Sequence, residues 1–195
     1  MKKMTLPLVA FITVILMVVI FRSGGPNLKQ FARLTEPGFT NIAAQRMLSI
    51  ELKGDPSRTA GEAFSLLYKN YFKLKTSHRS FRPVAARARW TGDPKDRTSW
   101  TGVFAIPVAD DVTALPPGAD SRLRLETWAY GATAEILHKG AYTNERQTVE
   151  KLLGFVKEKG FKVVGEHEEE YLTMPSSDAS RMFTIIRYRV EKTGR

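Results

Sequence analysis

The chain of 195 residues contains no cysteine, which excludes disulfides, thiol catalysis and cysteine-based zinc or iron–sulfur sites. Its three histidines, His78, His138 and His167, show no His-x-x-x-His spacing, so neither a histidine-rich metal site nor any cofactor is expected. The net charge of +10 sits in the first half, with 12 basic against 6 acidic residues over 41–110 and 13 against 13 over 111–195; no helix-turn-helix, zinc-finger or aromatic–basic RNA signature accompanies it, so no nucleic-acid partner is expected.

Met4 to Phe21 is an uncharged run of 18 residues. As a helix at ~1.5 Å per residue it reaches ~27 Å, close to the hydrocarbon thickness of a bilayer. Pro7 falls in the first turn, where its missing N–H costs little. A cleaved secretory signal is the competing reading, since Lys2 and Lys3 form a basic n-region, but the run is long and ends Val-Val-Ile-Phe-Arg without an Ala-x-Ala pattern. The segment therefore predicts a single-pass anchor with the bilayer as partner and a membrane localisation. The flanks (Lys2 and Lys3 against Arg22, Lys29 and Arg33) balance, so the positive-inside rule assigns no side. A basic surface beside it suits anionic headgroups, or is simply solvated.

Residues 22–40, with Ser23-Gly-Gly-Pro26 and Pro37-Gly38, read as a linker. From residue 41 onward one order of elements occurs twice. In the first pass (41–110), Ala44–Lys53 reads as a strand, Gly54-Asp-Pro56 as a turn, and Ser57 as the N-cap of a helix carrying Phe64, Leu67, Tyr71 and Leu74. Strands follow at Arg82–Thr91 and Ser99–Val108. After the connector Ala109–Asp120, with Leu115-Pro-Pro-Gly118, the second pass (120–192) places strands at Arg122–Trp128 and Ala132–Lys139, then a helix at Thr143–Lys159 with Val149, Leu152 and Val156 on its apolar face and Gly160 as its stop. Lys162–Leu172 and Met182–Val190 complete it. The predicted fold class is α+β: two tandem β-α-β-β modules with antiparallel sheets, helices on one face, and the N-terminal anchor.

The runs Ala134-Glu-Ile-Leu-His-Lys-Gly-Ala-Tyr142, Gly160-Phe-Lys-Val-Val-Gly165 and Glu169-Glu-Tyr-Leu-Thr-Met-Pro175 resemble the second half of the GyrI-like small-molecule-binding domain, which is also the effector-binding part of bacterial multidrug-responsive transcription regulators. The resemblance extends over residues 41–192 and is most specific over 134–175. It implies two strand-helix-strand-strand modules related by a pseudo-two-fold, with an aromatic ligand groove between them. It also implies a carboxylate near a Glu-x-Tyr-Leu motif, matched here by Glu169 and Tyr171. Some members of the family are hydrolases of strained natural products that use a glutamate and a tyrosine; others are protein-binding scaffolds. A haem-binding family shares the fold, but no axial ligand is positioned beyond His138 and His167.

Strand alternation sends Val163, His167, Glu169 and Tyr171 to one face and Glu166, Glu168, Glu170 and Leu172 to the other. A one-residue slip would bring Glu170 into the groove instead. A carboxylate beside aromatic rings suits a lipophilic cation, and a buried one could act as a base beside the Tyr171 hydroxyl. Against this, four glutamates in five positions also describe a solvated strand edge. Trp90, Trp100, Trp128 and Tyr142 are candidate groove walls or plain core, and His138 reads as a structural hydrogen-bonder. The expected function is a membrane-tethered, non-enzymatic module that captures a small amphipathic or cationic ligand; a hydrolase using Glu169 and Tyr171, and a protein-interaction scaffold at a membrane surface, are the alternatives.

Overall fold

The computed structural model describes residues 28–76, 84–93, 96–173 and 178–194. The anchor expected over Met4–Phe21 lies outside them. Among the described residues no helix is long and apolar enough to cross a membrane, which corrects the membrane localisation expected from the sequence.

Within the stretch expected to be linker, Leu28–Thr35 forms a 3-10 helix, and Gly38–Ile42, which runs past its end, forms strand β1. Leu34 is fully buried there, and Arg33 bonds Glu135 at 2.7 Å. Strand β2 (Gln45–Lys53) leads into helix α1 (Pro56–Tyr71), followed by β3 (Ala86–Thr91) and β4 (Thr101–Pro107). The second half runs β5 (Arg124–Trp128), β6 (Gly131–Lys139), α2 (Arg146–Glu158), β7 (Phe161–Val163), β8 (His167–Tyr171) and β9 (Phe183–Lys192). The N-cap of α1 is Asp55 and not Ser57: its carboxylate accepts from the Ser57 N–H at 2.8 Å, and Pro56 takes the first turn, where no N–H is needed. The single strand expected over Lys162–Leu172 is broken at 164–166, with β7 pairing the far end of β9 and β8 its first half.

The sheet is antiparallel, in the order β1-β6-β9-β8-β3-β4-β2-β5. The inner six strands read β6-β9-β8 and β3-β4-β2, so each half has its last strand in the middle and β8 meets β3 at the junction. The sheet curls because its ends are tied covalently: two residues separate β1 from β2, and two separate β5 from β6. The pairing runs through both bends without a slip, with Ile42 opposite Gly131 and Gln45 opposite Trp128.

Both helices cover the same face. Ala63, Leu67 and Tyr68 of α1 bury against Leu48, Ile50, Ala88, Phe104 and Ile106, while Leu152 and Val156 of α2 bury against Ala134, Ile136, Ile186 and Val190. The registers Ala88 to Phe104, Phe104 to Ile50 and Glu169 to Ile186 show that these cores share one side of the sheet, with β8 between them. The opposite face carries paired charge. Arg187 bonds Glu135 at 2.9 Å and also Glu170, and Arg89 bonds Glu168 at 2.9 Å, all largely buried. Desolvation makes unpaired charge very costly in such a place, and alternation of Ala with Arg on β3 against Glu on β8 supplies the pairing.

Candidate binding groove

Strand β8 lies inside the sheet between β9 and β3, so the acidic run is not a solvated edge: Glu168 is 3% and Glu169 6% exposed. The alternation expected from the sequence holds over His167–Tyr171. His167, Glu169 and Tyr171 face the helices, opposite Trp90, Ala88 and Ala86, while Glu168 and Glu170 face the arginines. Small side chains at Ala86 and Ala88 leave room above β3 for the larger groups of β8.

Glu169 Oε1 accepts a hydrogen bond from His167 Nε2 at 3.1 Å, and His167 Nδ1 lies 2.7 Å from the Tyr188 hydroxyl. Glu145, at the start of α2, brings a second carboxylate oxygen to 3.9 Å from His167 Nε2. Tyr171 bridges the two halves: its ring meets Phe64 of α1 and Tyr142 of the 3-10 turn before α2 edge-on, each with centroids 5.4 Å apart. Burial alone would depress the His167 imidazole, but the hydrogen bond and charge of Glu169, helped by Glu145 and Glu168, hold its pKa above the ordinary value. Burial, then Glu169 and Glu145, push the Tyr142 hydroxyl up to about 12; burial, then Glu145 and Glu169, do the same to Tyr188. Burial first and Glu169 second drive Tyr171 well above its usual range. The tyrosines are therefore neutral hydroxyls at physiological pH.

Of the six residues proposed from the sequence, the structure brings Glu169, Tyr171 and Tyr142 together. Trp90 is on the same face, 8% exposed and packed on Phe104 and Trp100, and Trp100 donates its indole N–H to the Asp93 carbonyl at 2.7 Å; both belong to the core under α1. Trp128 lies elsewhere, on the charged face, beneath the Arg89 guanidinium 3.9 Å from its ring centroid. His138 bonds the Thr148 hydroxyl and the Ala141 carbonyl, as a structural residue would. Glu145, His167 and Tyr188 join Glu169, Tyr171 and Tyr142, His167 sharing a strand face with Glu169 at a spacing of two. Glu145, His167 and Glu169 each bring one ligand atom to within 4.8 Å of the others, a donor set that suits a borderline divalent ion by type. A cavity of about 270 Å³ lies not here but on the opposite face, beside Trp128.

No family model matches the sequence, and no curated protein is similar to it in sequence. Solved structures are similar in fold. A conserved protein from Listeria innocua superposes with a TM-score of 0.72 at 23% identity, over 85% of this chain and 97% of that one. A second protein from that organism, described as a hydrolase, gives 0.70 at 22% identity over 84% and 96%. The C-terminal domain of EcmrR gives 0.64 at 13% identity over 81% and 98%. The chain shares the fold of these proteins. Identities this low show the fold alone, and the function must be argued from the groove.

Proposed function

We propose that this GyrI-like domain binds a small amphipathic cation in the groove over β8, between the two modules. The observation that carries the reading is Glu169, 6% exposed at the junction strand and bordered by Tyr171, with Tyr142, Tyr188 and Glu145 beside it. Ring faces attract positive charge, and two carboxylates against one imidazole leave the groove with a net negative charge in either protonation state of His167. Small ligands gain most from a full counter-charge placed where water is scarce. Titration calorimetry of the full chain with tetraphenylarsonium tests the reading. Saturable binding that weakens at least tenfold in Glu169→Gln, with the variant still folded, is the expected result; no binding to aryl cations overturns it.

A hydrolase reading uses the same groove and is favoured by the Listeria innocua neighbour described as a hydrolase. In it Glu169 is the base and Tyr171 the hydrogen-bond donor. It requires turnover of a strained electrophile that disappears in Glu169→Gln and falls in Tyr171→Phe; an unchanged rate in Glu169→Gln sinks it. An interaction scaffold would be favoured by an apolar groove, whereas the described floor, with His167 and Glu169, is ionisable.

A further inference from the structure

The cavity beside Trp128 takes no part in the groove. It lies on the other side of β8 and β9, where Arg89, Trp128, Tyr130, Glu168, Arg187 and Arg189 line it. Most of its charge is already matched. Glu168 accepts from Arg89 Nε at 2.9 Å and from the Tyr130 hydroxyl at 3.0 Å, and lies 3.6 Å from Arg187 Nη1. Arg187 is held in turn by Glu135 and Glu170.

Arg189 differs. Among the described residues no carboxylate reaches its guanidinium, and its described hydrogen bond is a long one of 3.3 Å from Nη2 to the Val164 carbonyl. Glu166, the remaining acid of the lining, is exposed on the rim. The position of Arg189 is nonetheless built. Val164 N–H donates to the Arg189 carbonyl at 2.9 Å, and a Cβ at Gly165 would come within 2.9 Å of Arg189 Cβ, so only glycine lets the 164–166 segment press on β9 and wall the cavity. A guanidinium with one long hydrogen bond and no carboxylate among the described residues, beside buried ion pairs that already cancel, leaves one positive charge for a ligand to match.

We infer that this cavity is a second ligand site, selective for a small organic anion whose carboxylate or phosphate is engaged by Arg189. The planar fork of arginine matches both groups, and the enclosure favours a charge-assisted contact over hydrated surface lysines. The alternation of β8 and β9 thus presents a cation site on one face and an anion site on the other, and the second does not depend on the first.

The test is calorimetry of the full chain with benzoate, phenyl phosphate and inorganic phosphate at ionic strength held constant with chloride, together with amide chemical-shift mapping of the wild type. Saturable binding of an organic anion, at least tenfold weaker in Arg189→Gln and unchanged in Glu169→Gln, with shifts centred on Thr133 and Gly165, is expected. The mapping needs no variant and holds even if Arg189→Gln fails to fold. No saturable binding, equal response to chloride, or shifts centred on Thr133 and Gly165 that persist undiminished in a folded Arg189→Gln overturns the site. Shifts centred on His167 and Tyr171 instead would overturn it and count against the cation groove as well.

Discussion

His167 is the residue whose state the solvent can set. In an unfolded chain it titrates near ~6.5, and in the fold Glu169 and its neighbours hold the proton more tightly, so the folded pKa is the higher of the two. The stability this contributes is fully present below ~6.5 and is lost as pH rises through the folded value. A comparison of the melting temperatures of the wild type and His167→Gln between about pH 5.5 and 9 should therefore show a wild-type advantage that is largest at the acid end and shrinks towards alkaline pH. Cation affinity should move the other way. Loss of the imidazolium proton removes a positive charge 3.1 Å from Glu169 Oε1, so tetraphenylarsonium should bind more tightly as pH rises across that window. An affinity independent of pH would mean that the ligand does not meet Glu169.

At the scale of elements, the pairing of Trp90 with Gly102 shows how closely β3 and β4 are matched. A Cβ at Gly102 would approach the Trp90 ring to 2.6 Å and the Phe104 ring to 2.8 Å, and both rings are buried under α1. Gly102→Ala should therefore destabilise the domain by about 1–3 kcal/mol, read from the denaturant midpoint, by forcing Trp90 off its packing. Trp90 was legible from the sequence as an apolar strand position, but whether it walled a groove or filled a core depended on what lay across from it. The period-two pattern of Arg82–Thr91 and the period-three-to-four pattern of Thr143–Lys159 revealed β3 and α2, because burial against a single face imposes those spacings. The same reasoning put His167, Glu169 and Tyr171 on one face. It missed β1, since five residues beside Pro37-Gly38 carry too few apolar positions to show a period, and their pairing with β6 is a long-range fact. The charges were also partly legible: Arg87 and Arg89 alternate with Ala86 and Ala88 as Glu168 and Glu170 do with Glu169, and such complementary rows mark neighbouring strands.

For the molecule as a whole, curling the sheet turns its charged face inward, and the fold depends on the buried charges around Arg187 being matched. Arg187 stands at the centre, bonding Glu135 of β6 and Glu170 of β8, while Glu135 also receives Arg33 from the N-terminal 3-10 helix. Burial would raise the Glu170 carboxyl, but Arg187 and Arg87 outweigh it and hold its pKa below the ordinary value. Its contribution is present above the unfolded glutamate range and is lost as pH falls through the folded value, which gives the domain an acid limit opposite in sign to that of His167. Arg187→Met tests the network directly. Removing one partner leaves Glu135 and Glu170 buried with less compensation, and the expected loss is about 3–5 kcal/mol by chemical denaturation at neutral pH. Adding Glu135→Gln to that variant should cost less than it does in the wild type, because the arginine it served is gone; strictly additive losses would show that the two act separately. The deficit of Arg187→Met should also narrow as pH falls towards the acid limit, since protonation of Glu170 then removes uncompensated charge that makes the variant unstable.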